Sequence, residues 1–354
     1  MPIRTNRALL TALGLATVLW FASAAAHAAA TRAGVAPGVV GLLAPATPAV
    51  SMVRGASPAG AWDVAAVVAF LGTLAVLVLP ALRATRTGTA ARVLAVWFAA
   101  IVAGWAAAFA WTVVVAMPMI DYGLTTLLAM GFAEGARAGC AWGVTYGWVV
   151  ALVTVAVARL GQEPANDAHR PGALAAGITA GAVAAIGWLV VAAAHVRIDD
   201  TVNQYVTTAR SQFASMVRAG ADWLLPVTTT AGASGGVVLL SGVLVGGVVG
   251  TLAWLAARTS VLPGGRLVLV LGVWAAAIVG AAVGGLPGIL TTVELEPEGD
   301  GWWAVQQLLL FGPTDGGASG ALYGWIPALL ALGVLAWAAR GTHPAAEEPA
   351  PAIG

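Results

Sequence analysis

Apolar positions in this chain run together in long blocks separated by short polar breaks. They show neither the strict alternation of a half-buried strand nor the narrow stripe of a water-facing helix. A helix needs about 20 apolar residues, at 1.5 Å of rise each, to cross the hydrocarbon of a bilayer. Eight stretches meet that requirement: 8–29, 61–82, 92–117, 139–158, 172–195, 235–257, 267–289 and 319–339. The pattern therefore predicts an all-α polytopic membrane protein of about eight transmembrane helices. Long connections follow the first, third, fifth and seventh stretches, and short ones follow the second, fourth and sixth.

The blocks resemble one another. Gly139, Gly143, Tyr146, Gly147 and Trp148 return as Gly316, Gly320, Tyr323, Gly324 and Trp325, every one 177 positions later. Gly232-Ala233-Ser234-Gly235 is a looser copy of Gly317-Ala318-Ser319-Gly320, and Trp20 with His27 matches Trp188 with His195 at an offset of 168. These matches divide one transmembrane domain, 1–340, into four tandem hairpin units at about 8–86, 91–160, 172–258 and 266–340. A unit with two crossings leaves its successor in the same orientation, so the repeats are parallel. Residues 341–354, rich in Pro and Ala with Glu347 and Glu348, read as a disordered tail.

Glycines recur every fourth residue within the blocks. Gly139, Gly143 and Gly147 form one stripe, Gly242, Gly246 and Gly250 another, and Gly316, Gly320 and Gly324 a third. Such stripes let helix backbones approach closely in lipid, so these nine are candidate packing positions. Between the blocks, residues 200–225 carry apolar side chains at three- and four-residue spacing around Arg210, Gln212 and Arg218. That segment, Tyr122–Phe132 and Trp302–Phe311 are expected to lie flat at the membrane–water interface. Pro327, three residues after Gly324, is expected to bend the last helix.

Composition agrees with a bilayer as solvent: 60% of the 354 residues are hydrophobic and 9% are charged, against about 25% charged in soluble domains. All 16 basic residues are Arg, a bias that fits a GC-rich bacterial genome. Ten of them (Arg4, Arg7, Arg83, Arg86, Arg92, Arg159, Arg170, Arg258, Arg266 and Arg340) fall at the N-terminus, in the short connections or after the last block. An arginine excess marks the cytoplasmic side, which puts both termini inside the plasma membrane. Arg4 and Arg7 before an apolar run ending Ala26-His27-Ala28 also fit a cleavable signal peptide, which would leave the N-terminus outside.

Little in the chain has the form of a reaction centre. With Cys140 the single cysteine, an intramolecular disulfide and a Cys-rich metal centre are both excluded. Without Lys there is no phosphate-binding P-loop, and the scattered arginines make no nucleic-acid surface. The acids Glu294, Glu296, Glu298 and Asp300 lack calcium-loop spacing, so no metal or cofactor is expected. Gly317-Ala318-Ser319-Gly320-Ala321-Leu322-Tyr323-Gly324 resembles the Gly-x-Ser-Gly-x-x-x-Gly stretch of rhomboid intramembrane serine proteases. That resemblance implies nucleophilic attack by Ser319, with a histidine on a later helix as base. No later block follows Ser319, so the stretch reads first as packing. Ser319, His195, Tyr146 and Tyr323 are the remaining candidate functional residues. The sequence thus predicts a structural or accessory membrane subunit whose partners are the bilayer and a membrane protein or a second copy. A transporter or flippase-like protein for an apolar or envelope-lipid cargo is the alternative, and an intramembrane serine hydrolase comes third.

Overall fold

The computed structural model describes residues 2–35, 40–41, 43–50, 61–84, 87–116, 124–160, 170, 172–206, 235–260, 265–288 and 314–340. Among them there is no strand. The N-terminal half comprises α1 (Pro2–Arg32), α2 (Ala61–Arg83), α3 (Thr89–Ala116) and α4 (Leu124–Trp142). A π-helical turn, Gly143–Gly147, joins α4 to α5 (Trp148–Arg159). The C-terminal half comprises α6 (Ala173–Val206), α7 (Gly235–Thr259), α8 (Arg266–Gly284), α9 (Thr314–Tyr323) and α10 (Trp325–Arg340). Among the described residues, seven helices are long and apolar enough to cross a membrane, and the bent pair α9–α10, taken as one span, makes eight.

Two helices form the centre. Some 61% of the apolar window of α3 and 72% of that of α8 are buried, against 28–44% in the other spans. They pack on each other: Phe98 and Trp274 bring their rings to 4.9 Å. The remaining helices surround this pair in the same order on both sides. In the N-terminal half α1 lies against α2 and α5, and α2 against α3; in the C-terminal half α6 lies against α7 and α10, and α7 against α8.

Small residues set these distances. On α1 the buried hydrophobic positions are Ala8, Ala12, Ala16, Trp20, Ala24 and Ala28, one every fourth residue, with Ser23 buried beside them. On the outside, Val64, Val68 and Val76 of α2, Leu174, Ile178, Ile186 and Val190 of α6, and Trp337 of α10 are exposed. Rows of exposed aliphatic side chains on long apolar helices belong against lipid, not water.

Three boundaries differ from the sequence reading. The flat helix expected over Tyr122–Phe132 is, from Leu124 onward, the first part of α4 and runs unbroken towards the span. The reason is that the glycine stripe begins earlier than residue 139. Gly131 faces Val113 and Phe109, and Gly135 faces Trp105, so this stretch too packs on α3. Residues 200–206 continue α6, and the rest of the 200–225 segment lies outside the described residues, as do 302–311 and 341–354. The seventh span ends at Gly284, short of 289.

Candidate functional site

The glycines at offset 177 occupy matching surroundings. A Cβ added to Gly143 would meet Ile101, with its Cα 2.6 Å away, and one on Gly320 would meet Ile278, with its Cα 2.5 Å away. Ile101 and Ile278 are themselves 177 apart. Gly147 faces Trp97 and Ala100, while Gly324 faces Trp274 and Ala277, again at the same offset. The indole N–H of Trp97 donates to the Gly143 carbonyl at 2.7 Å, and that of Trp274 to the Ala321 carbonyl at 3.0 Å. On α7, Gly246 and Gly250 face Gly181 and Gly177 of α6, and Gly242 faces Leu189. All nine predicted glycines therefore sit at helix contacts.

Both helices break at the end of their stripe, by different chemistry. In the C-terminal half α9 and α10 meet at 49°. Pro327 has no N–H to offer the carbonyl of Tyr323, four residues back, and its ring crowds that carbonyl. The N-terminal half has Val150 where Pro327 stands, 177 positions earlier. There the helix takes up an extra residue as the π turn Gly143–Gly147, a device frequent at functional sites.

Inside that break the N-terminal half is filled with rings. Trp20 of α1 lies 3.8 Å from Phe70 of α2 and 5.7 Å from Trp142 of α4, measured between ring centroids. Phe70 and Trp142 meet edge-on at 5.3 Å, and Tyr146 adds a fourth ring 6.5 Å from Trp142. Residues 43–45 are tied over this cluster. The Tyr146 hydroxyl donates to the Leu43 carbonyl, Ser23 donates to the Pro45 carbonyl at 2.9 Å, and His27 Nδ1 lies 2.8 Å from the Ala44 carbonyl. A carbonyl only accepts, so the His27 proton is on Nδ1.

The C-terminal half has a cavity of about 210 Å3 at the corresponding place, between α6, α7, α8 and the α9–α10 bend. Trp188, Val245, Ala281, Ser319, Tyr323 and Pro327 are among its walls. Ser319 and Tyr323, both singled out in the sequence, thus come together, and among the described residues theirs are the only side-chain hydroxyls in the lining. Among the described residues, no histidine or carboxylate lines the cavity to activate a serine. The side chain of His195 lies outside the described residues.

No family model, curated protein or solved structure matches this chain.

Its own geometry therefore carries the functional argument. One feature of the seam escaped the sequence reading. Arg137 of α4 donates from Nε to Asp315 of α9 at 2.8 Å, and the Asp315 carboxylate is buried. Beside this ion pair, a Cβ on Gly317 would lie 2.9 Å from that of Cys140. Residues 140 and 317 are the same position at offset 177, so equivalent points of the two halves touch where the halves meet. Cys140 is buried in that contact, and among the described residues no group of His, Cys, Asp and Glu is arranged to hold a metal. Arg137 and Asp315 are 178 residues apart in the chain, and only folding brings them together.

Proposed function

We propose that this chain is a structural or accessory subunit of the bacterial plasma membrane, built from parallel copies of one helix hairpin, with both termini on the cytoplasmic side. The observation that carries this reading is the closed seam between the halves. Alternating access requires one half to rock against the other about a central site. Here the halves meet through the buried pair α3–α8, the Cys140–Gly317 contact and the Arg137–Asp315 ion pair. Packed small residues and a buried charge pair resist sliding, because any displacement opens voids and strips a charge of its partner. The matching contacts of Ile101 with Gly143 and Ile278 with Gly320 support the repeat.

Purification from native membranes in mild detergent, with mass spectrometry of whatever remains bound, tests the proposal. A stoichiometric protein partner is the expected result, and Ser319→Ala should leave its recovery unchanged. Recovery of the chain alone in every mild detergent would overturn the subunit reading. The alternative, handling of an apolar molecule, is favoured by one observation, the cavity between α6 and the α9–α10 bend.

A further inference from the structure

The cavity walls are related to the ring cluster of the other half position by position. On α4–α5 and α9–α10 the offset of 177 turns Trp142 into Ser319 and Tyr146 into Tyr323. On α1 and α6 the offset of 168 turns Trp20 into Trp188. On α2 and α7 the final arginines, Arg83 and Arg258, are 175 apart. At that same shift the buried row Ala66, Phe70, Leu74, Val78, Ala81 and Leu82 falls on Ser241, Val245, Val249, Ala253, Ala256 and Ala257, all of them buried. Phe70 thus becomes Val245.

Trp20, Phe70, Trp142 and Tyr146 make up the ring cluster; Trp188, Val245, Ser319 and Tyr323 line the cavity. Two of the four positions keep their aromatic ring. The other two exchange a phenyl for an isopropyl and an indole for a hydroxymethyl. Both of the smaller side chains, Val245 and Ser319, are walls of the empty volume.

We propose that this cleft holds the acyl chain of a bilayer lipid in the place that Phe70 and Trp142 fill in the N-terminal half. An apolar cavity of about 150 Å3 stays dry and accepts a molecule the size of benzene, and this one measures about 210 Å3. It extends along α6 from Val183 to Val191, about 12 Å at 1.5 Å per residue. Those residues belong to the membrane-crossing part of α6, Ala173–Ala194. At its edge Val190 is 60% exposed, Ile326 is 36% exposed, and Gly187 has open space where a side chain would be. A cleft that opens sideways at that depth meets hydrocarbon, and the pseudo-equivalent site shows that this fold closes around apolar matter there. The α9–α10 bend holds the far wall away from α6, and Pro327 fixes the bend.

This proposal rests on the chain being embedded in a bilayer, and not on the accessory-subunit reading. The test uses the full chain in phosphatidylglycerol–phosphatidylethanolamine nanodiscs containing a phosphatidylglycerol with a photoreactive diazirine midway along one acyl chain. Mass spectrometry after irradiation should place the label on residues 183–191 and 319–327 at least tenfold above the matching surfaces of α1 and α5. The double variant Val245→Phe with Ser319→Trp, which copies the N-terminal half, should lose that excess. Gly187→Leu, a substitution into open space at the mouth, should lose it too, and it decides the matter if the double variant does not fold. Label spread evenly over the lipid-facing spans, or an excess that survives Gly187→Leu, would overturn the cleft. Absence of label from every span would instead overturn the membrane embedding on which it rests.

Discussion

Replacing Gly320 by alanine adds one methyl group where two backbone groups of α8 already press on α9. Its carbon would lie 2.5 Å from Ile278 Cα and 2.6 Å from the Ala277 carbonyl oxygen. Carbon contacts are comfortable at about 3.5–4.0 Å, so α8 and α9 must separate by about 1 Å or bend. Because both obstacles are backbone, no rotamer change relieves the clash. Overpacking of this kind costs about 1–3 kcal/mol, and the better helix propensity of alanine returns at most about 1 kcal/mol. The expected net loss is about 1–2 kcal/mol, a shift of about 5- to 30-fold in the ratio of folded to unfolded chain. Gly333→Ala is the matched control, since nothing lies within 4 Å of its added carbon; it should be neutral or slightly stabilising. Tryptophan fluorescence during denaturation in mixed micelles reads both variants. Equal midpoints for Gly320→Ala and Gly333→Ala would refute the argument that backbone contact at this stripe holds the helices together.

Further outcomes follow from the same contacts. Gly143→Ala, whose added carbon meets Ile101, should cost as much as Gly320→Ala in the same titration. Arg137→Ala removes the arginine from the buried Asp315 carboxylate, a loss of at most about 3–5 kcal/mol, reduced by the water that reaches Arg137. The double variant Arg137→Ala with Asp315→Ala should recover part of that loss in a double-mutant cycle. Phe70→Ala should cost about 3–5 kcal/mol by thermal unfolding, because Trp20 and Trp142 both lose a ring contact. Cys140 should resist a membrane-permeant maleimide in the folded protein and react on denaturation, with Gly317→Ala raising its accessibility at the seam.

The spans were legible because the bilayer demands uninterrupted apolar length, a property of each segment alone. The glycine stripes Gly139, Gly143, Gly147 and Gly316, Gly320, Gly324 could be seen in the sequence, and each of these glycines lies where an added Cβ would strike a neighbouring group. What the sequence hid is what depends on shape. Arg137 and Asp315, 178 residues apart, form their ion pair only once α4 and α9 meet. The start of α4 looked like an interfacial helix because Glu134 and Arg137 interrupt the apolar run around Gly131 and Gly135, which pack it against α3. The cleft was hidden for a third reason. Ser319 invited comparison with catalytic serines, and its meaning in the fold comes from the Trp142 that occupies the same place in the other half.

That exchange makes an energetic statement that can be tested apart from any labelling. An enclosed core void costs about 24 cal/mol per Å3, so for about 210 Å3 in a cleft open on one side about 5 kcal/mol is the ceiling. A protein with marginal stability of about 5–15 kcal/mol loses much of it in sustaining such a void. The C-terminal half escapes this cost only if hydrocarbon restores the missing contacts. Transfer from lipid nanodiscs into a fluorinated surfactant, whose chains mix poorly with hydrocarbon, should therefore destabilise the natural chain by up to about 5 kcal/mol. The variant carrying Val245→Phe and Ser319→Trp brings its own filling and should be nearly indifferent to the transfer. The reverse pair, Phe70→Val with Trp142→Ser, empties the N-terminal half and should deepen the loss in surfactant while lipid partly rescues it. If the natural chain and the filled variant lose equal stability on transfer, the cleft is filled by relaxation of α6 towards the bend, and the lipid contributes nothing to the fold.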